Sequence, residues 1–376
     1  VIVLQINGVD FTNQTRGIQK IMRTLIKASI FATILHSLCS FSSQADNLKV
    51  GALLGLTGPS SVIGYEIQQG MQLCADPDSM VIFEDSQGQP AVGLSAFKKL
   101  VEQDRVDVSV VTFSGVAGAV APVAAKKRVP VMLTLVSARG VIKDNSQDLF
   151  RFFTSGEQEG PIMAKYLATR KRMSRAAILY LEDEYGQSYS AAFADEFKRN
   201  GGMLVAEEGY SRETQDFRGL LLRIKNKQAE VVYVIGHDSH ILNVLRQAKE
   251  AKMSELFASN WILASPTIRR GNEALLDGVV FTSPDFYWAE SPKQILFRKM
   301  FQAKYAIEPT AYSALGCDVI DLIERQPVRS FGASLRSLKG YEGVIGQVSS
   351  AADGSLEFPL YPVQLRDGKM MLLSQP

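Results

Sequence analysis

The chain has 376 residues, 46% of them hydrophobic, with 29 glycines, 14 prolines and a formal charge of +2. That length and composition exclude a disordered or collagen-like chain and leave room for a large core and two lobes. A charge so close to zero supplies no field that would recruit nucleic acid or a membrane surface.

The first 45 residues differ from the rest. Met22–Lys27, "MRTLIK", is a short basic head, and "ASIFATILHSLC" (28–39) is an apolar run too short to span a bilayer comfortably. "SFSSQA" (40–45) places Ser43 and Ala45 as a cleavage site requires. This predicts a signal peptide over 22–45, hence an exported protein, with 1–21 an upstream translated extension. The alternative is a buried helix or a single anchor. Leu38 stands before Cys39 where a lipid-attachment motif wants a small residue, so no lipoprotein anchor is expected. Cleavage after Ala45 removes Arg16, Lys20, Arg23, Lys27 and Asp10 and takes the charge from +2 to about −1. Cys74 and Cys317 then remain. An oxidising compartment permits a bridge, but two separate buried thiols are the expectation.

From Leu48 onward apolar runs alternate with amphipathic stretches. "KVGALLGL" (49–56), "MVIFED" (80–85), "VDVSVVTF" (106–113) and "VPVMLTL" (129–135) read as strands. Between them, "YEIQQGMQLCA" has Ile67, Met71 and Cys74 on one helical face, and 92–104 has Val92, Ala96 and Leu100 on one side. The rhythm restarts after "FRFFTSGEQEG" (150–160). "AAILYLED" (176–183), "MLVAEEGY", "EVVYVIG" (230–236), "ELFASNWI" and "GVVFTSPDF" (278–286) are strands separated by helices. "SPKQILFRKMFQAKY" and "TAYSALGCDVIDLIE" are helical, and the tail is β-like with a turn at Asp353–Gly354. The fold class is α/β: two doubly wound Rossmann-like units with a cleft at the carboxyl ends of both sheets.

Catalytic signatures are scarce. "GLTGPSSVIG" is neither dinucleotide fingerprint nor phosphate loop, and no G-x-S-x-G elbow occurs. His237 and His240, at i and i+3, have no evident third metal ligand. No enzyme, cofactor or metal is predicted.

"TFSGVAGAVA" (112–121) is instead suited to holding an anion. A strand ends near Phe113, Ser114 stands at the turn, and small residues admit a ligand to the amides of a helix start. Pro122 suggests that the first turn of that helix begins near Ala119. The next strand ends in "TLVSA", with Ser137 at a comparable edge. Two hydroxyls and free amides would hold a carboxylate. The plainer alternative makes Ser114 an N-cap and Ser137 a loop residue.

Four ordered blocks carry a resemblance: "KVGALLGLTGPSSVIG", "FEDSQGQPAVGLSAFKKLVEQDRVDVSVVTFSGVAGAVAPVAAKKRVPVML", "LEDEYGQSYSAAFADEFKRNGG" and "DFRGLLLRIKNKQAEVVYVIG…LRQAKEAK". Over nearly the whole chain from Leu48, it resembles the type I periplasmic binding proteins. The nearest group is the leucine/isoleucine/valine-binding family of ABC transporters. The resemblance implies two lobes, 46–154 plus 284–345 and 155–283 plus 346–376, with crossovers near 154–156, 283–285 and 344–347. It implies a carboxylate held by Ser114 and Ser137 with the Leu135 backbone between them, and Tyr185 reaching in from the opposite lobe. The partners implied are a small amino acid or carboxylate ligand and the membrane permease subunits of an ABC transporter, with the protein acting as a monomer.

The chain departs from that pattern where amino-acid binders hold the ammonium group. Ser259, Asn260 and Trp261 stand in place of an acid, and His237 followed by Asp238 replaces a tyrosine. The amino group is then read differently, by Asp238 for example, or the ligand lacks one. Trp261 suits an apolar or aromatic ligand body, or else is a core residue; Tyr185 and His237 are pocket residues or solvated strand ends. The rival functions are a ligand sensor acting on a receptor and, last, an enzyme on a doubly wound fold.

Overall fold

The computed structural model describes residues 48–58, 61–137, 139–141, 148–351 and 353–373. The predicted signal peptide and its upstream extension lie outside them. No helix among the described residues is long and apolar enough to cross a membrane.

The first sheet has the order β2-β1-β3-β4-β5, built from β1 (Lys49–Leu54), β2 (Met80–Asp85), β3 (Val108–Thr112), β4 (Val131–Thr134) and β5 (Leu149–Arg151). All its pairings are parallel. Such sheets are covered on both faces, which is why β1 and β3 read as continuous apolar runs. Their residues alternate between two cores. Val50, Ala52, Leu54, Val108 and Val110 join one, and Leu53 and Val111 the other. Helix α1 (Ser61–Cys74) packs Ile67 and Met71 into the first core, and α2 (Pro90–Lys99) packs Phe97 into the second. Helix α3 (Ser114–Lys127) adds Val116, Ala117, Val120 and Ala124 to that second core.

Two expectations are corrected here. The buried positions of α2 are Gly93 and Phe97, with Leu100 beyond, so its face is one residue out of phase with Val92 and Ala96. Helix α3 starts at Ser114, not near Ala119, and carries Pro122 inside it. The four buried apolar residues of α3 outweigh the backbone bond that Pro122 removes.

The second sheet has the order β15-β14-β10-β9-β8-β6-β7. Its parallel part comprises β6 (Arg175–Leu181), β7 (Met203–Tyr210), β8 (Val231–Ile235), β9 (Leu256–Ala258) and β10 (Val280–Pro284). Helices α4 (Gly156–Lys165) and α5 (Glu184–Arg199) cover one face; α6 (Arg218–Asn226) and α7 (Asp238–Glu250) cover the other. The doubly wound α/β reading therefore holds for both sheets. Strand β9 ends at Ala258, and Trp261 lies in a 3-10 turn, so the strand read through "ELFASNWI" is shorter than the sequence suggests.

After β10 the chain returns to the first sheet. Helices α8 (Pro292–Tyr305) and α9 (Ala311–Arg325) bury Phe297, Phe301, Leu315 and Ile320 in the core that contains Val50 and Val110. The small sheet β11-β12-β13, at Tyr341–Glu342, Gln347–Ser350 and Leu356–Glu357, stays on that side: Leu356 bridges to Phe152. The last hairpin, β14 (Leu360–Arg366) and β15 (Lys369–Leu372), pairs antiparallel with β10 and completes the second sheet.

Helices α1 and α9 touch backbone to backbone. A Cβ on Gly70 would lie 1.9 Å from the Ser313 carbonyl oxygen, and one on Gly316 would lie 2.2 Å from that of Ile67. One turn beyond Gly70 and Ser313 come Cys74 and Cys317, with Cα atoms 5.2 Å apart and joined in a disulfide. This corrects the expectation of separate thiols. The glycines let the helices approach until the next pair of Cβ atoms falls within bonding reach, and nothing local to either cysteine announces that approach. The bond closes a loop of 243 residues. The double variant Cys74→Ala/Cys317→Ala should lose about 2–5 kcal/mol of stability. Denaturant unfolding with and without reductant checks this; identical midpoints for variant and oxidised wild type would show that the bond adds nothing.

Candidate functional site

Both parallel sheets run in the order that places a neighbour outside the first strand, so the topological switch falls between β1 and β3 in one and between β6 and β8 in the other. Ligands of doubly wound sheets collect at the carboxyl ends there. Ser114 follows β3, and Leu135 and Ser137 follow β4. Tyr185 follows β6, and His237 and Asp238 follow β8. Ser114, Tyr185, His237 and Asp238 thus follow the switch-point strands β3, β6 and β8, while Leu135 and Ser137 follow β4, the neighbour of β3. A backbone-to-side-chain hydrogen bond joins the two sets: Gly140 N–H donates to Glu184 Oε1 at 2.7 Å. This brings the loop after Ser137 to the residue beside Tyr185.

On the first sheet, local backbone is bent out of its ordinary range. Phe113 has φ 71° and Leu135 has φ 54°. Positive φ is unusual for large side chains and marks sites where surrounding structure imposes the conformation. The two outliers come just before Ser114 and Ser137. The Phe113 ring needs Gly55 beneath it, where a Cβ would come within 2.5 Å of the ring. Asp85 fixes the neighbouring loop by accepting from Leu56 N at 2.8 Å and Gln87 N at 2.8 Å. Against the opposing effect of burial, the Thr57 hydroxyl, which also donates to Asp85, and then these amides hold its carboxyl below the usual range. The sequence places the turn at Phe113–Ser114 but carries no sign of the positive φ at Phe113; Asp85 reads only as the end of a strand.

On the second sheet the wall is aromatic and neutral. Tyr185 is half-buried and packs edge-on against Tyr189 at 4.9 Å, and its ring lies parallel to that of His237 at 6.2 Å with planes 12° apart. Burial and then the Glu159 carboxylate push the Tyr185 hydroxyl well above the ordinary tyrosine range, so it stays protonated. The protein around His237, and then Arg212, lower its pKa, so the ring is neutral at neutral pH. Asp238 is exposed in the first turn of α7. Asn260 is buried and donates through Nδ2 to the Tyr185 hydroxyl; its Oδ1 has no hydrogen-bond partner among the described residues. Ser259 Oγ is already used, donating to Val234 O at 2.8 Å. No group of three or more His, Cys, Asp or Glu among the described residues is placed to hold a metal.

Trp261 is packed on all sides. Its ring lies 5.3 Å from Phe153, 5.0 Å from Tyr312 and 6.0 Å from Phe358, and its backbone N–H donates to Glu159 Oε1 at 2.6 Å. The geometry supports its core reading. Glu159, which sequence reasoning did not single out, is wholly buried under this turn.

A model of the periplasmic binding protein family matches residues 47–369. The chain belongs to the periplasmic binding protein family. Among curated relatives, a Leu/Ile/Val-binding protein homolog of Brucella melitensis is 24% identical over 93% of this chain and 99% of its own length. A Leu/Ile/Val-binding protein of Rhizobium johnstonii is 28% identical, but the match spans only 57% of this chain and 59% of the relative. Among solved structures, the leucine-binding protein of Thermotoga maritima superposes with a TM-score of 0.78 at 19% identity, covering 87% of this chain and 98% of that one. A solute-binding protein of an R. palustris ABC transporter, in complex with benzoate, gives 0.75 at 20% identity over 87% and 95%. The fold is that of the type I periplasmic binding proteins.

Trp261→Ala tests the role of that indole in the family scaffold. A buried tryptophan replaced by alanine should cost about 3–5 kcal/mol in equilibrium unfolding. A loss under about 1 kcal/mol would place the ring on an open wall instead.

Proposed function

We propose that the protein is an exported, monomeric solute-binding component of an ABC transporter, which captures a small organic carboxylate between two lobes and passes it to permease subunits without chemical turnover. The lobes are built on the two sheets. We place the third passage between them near Phe358–Leu360, after 344–347, a reading supported by Ile345, Val348 and Leu356 packing in the core of the first sheet.

The observation that carries the reading is the asymmetry of the two sheet ends. Ser114 and Ser137 stand at strained turns on one side, where helix-start amides and hydroxyls suit a carboxylate. Opposite them, Tyr185, His237 and Asn260 form a wall that presents no carboxylate. The buried carboxylate behind it, Glu159, is already engaged by Thr282, Tyr189 and the Trp261 backbone, so an α-ammonium group would find only the exposed Asp238 in the loop after β8. The wall therefore favours an acid without an amino group, of the chemical kind of the benzoate bound by the R. palustris structure. Closure follows from ligand contacts made to both sides at once, which shift the population toward the closed form.

A thermal-shift panel on residues 46–376 tests this, with aliphatic amino acids, aromatic amino acids and their amino-free analogues. Stabilisation by amino-free acids is expected. Stabilisation by amino acids alone would overturn the reading of the neutral wall. With a bound acid in hand, Ser114→Ala should weaken binding about tenfold to hundredfold, the worth of one hydrogen bond to a charged group.

A further inference from the structure

The first turn of α4 is the place where the three passages between the sheets meet. The first passage, Phe152–Ser155, leads into it, and Ser155 caps it by accepting from Gln158 N. Gln158 Nε2 donates to Phe358 O at 2.8 Å, on the third passage. Glu159 accepts from the hydroxyl of Thr282, the third residue of the strand that ends at the second passage. The same carboxylate accepts from Tyr189 at 2.8 Å and from the Trp261 backbone at 2.6 Å. Thr154 completes the cluster at 3.5 Å from the Tyr189 hydroxyl.

We propose that Glu159 is a positioning residue of the binding site: its ionised carboxylate holds the Trp261 turn and the Tyr189–Tyr185 pair against the passages, and its protonation releases that hold. The assignment rests on the reading of Tyr185 as ligand wall.

The donor set supports it. A carboxylate only accepts, and three donors converge on this one. A protonated Glu159 must donate one hydrogen bond, so the hydroxyl of Thr282 or Tyr189 has to reverse. Reversal at Tyr189 directs its proton toward Thr154 on the first passage; reversal at Thr282 acts on the strand entering the second. The titratable groups that face the carboxyl are Tyr185 and Tyr189 of α5, Tyr233 of β8 and Tyr312 of α9, with His237 stacked beyond Tyr185. Burial keeps these four phenols protonated far above neutrality. Glu159 itself is pushed by burial to about 7, with the donors opposing. Among the groups in this cluster, Glu159 is the carboxyl raised to about 7, and it is wired to both the site and the passages.

The sign for stability follows. A carboxyl raised from 4.5 to about 7 in the folded state binds its proton more tightly there than in the unfolded chain. Its contribution to stability is full below the unfolded value and falls as pH rises to about 7. Ionisation therefore tightens the site locally while lowering global stability.

The protein has two tryptophans. In a Trp288→Phe background, Trp261 reports alone. Its emission in the full chain, without ligand, should titrate with a midpoint near 7, and Glu159→Gln should abolish the transition. Thr282→Val and Tyr189→Phe each remove a donor to the anion and should raise the midpoint, which a merely structural role would not do; they decide the matter if the Glu159 variant does not fold. A flat wild-type trace between pH 5 and 9 overturns the proposal. So does a transition that survives Glu159→Gln, that follows His237→Gln, or whose midpoint ignores both donor variants. The readout needs no ligand, so it stands whatever the ligand panel returns.

Discussion

A carboxylate removed from water is costly unless donors surround it, and this constraint organises the places where distant segments meet. Glu159 gathers Tyr189, Trp261 and Thr282. Asp318 accepts from Val344 N and Ile345 N at 2.7 Å each, which pins the segment after β11 to α9; burial raises it to about 6. Glu66 accepts from Thr310, the cap of α9, and from Thr267 of the short helix Pro266–Arg269. Each acid sits on a helix and draws backbone or hydroxyl donors from segments far away in sequence. The apolar cores form the layers; these three acids set how the layers are joined.

The strand and helix rhythm was plain in the sequence because parallel strands covered on both faces leave unbroken apolar runs such as "GALL" and "VVYVI". The resemblance singled out Ser114, Ser137, Tyr185 and His237; in the structure each follows the carboxyl end of a parallel strand, Ser114, Tyr185 and His237 at the switch points and Ser137 at the adjacent β4. What stayed hidden depends on approach in three dimensions. The pairing of Cys74 with Cys317 follows from Gly70 and Gly316 meeting backbones across two helices. The helix start at Ser114 follows from tertiary packing that overrides Pro122. Glu159, at the end of the "FRFFTSGEQEG" stretch after which the rhythm restarts, becomes conspicuous only once its donors are seen converging.

The two sides of the site differ in how they are built. The first-sheet side is made of backbone: turns held at Phe113 and Leu135, a loop tied by Asp85, and hydroxyls at their ends. The second-sheet side is made of side chains, stacked from His237 through Tyr185 to Tyr189 and underlain by a carboxyl. A backbone site recognises what its ligands share, since its amides cannot be exchanged by substitution. On the proposed reading, the side-chain wall is where one ligand would be told from another.

The order in which the chain visits its sheets has a consequence for manufacture. The first sheet takes its strands from residues 49–151 but two of its covering helices from 292–325. The second takes its last two strands from 360–372. No single cut therefore yields two self-sufficient halves: a fragment ending after β10 would carry a first sheet with a naked face and a second sheet with an open edge. Half-made chains expose apolar surface until the final hundred residues arrive, so this architecture places its aggregation hazard in unfinished polypeptide rather than in the finished protein.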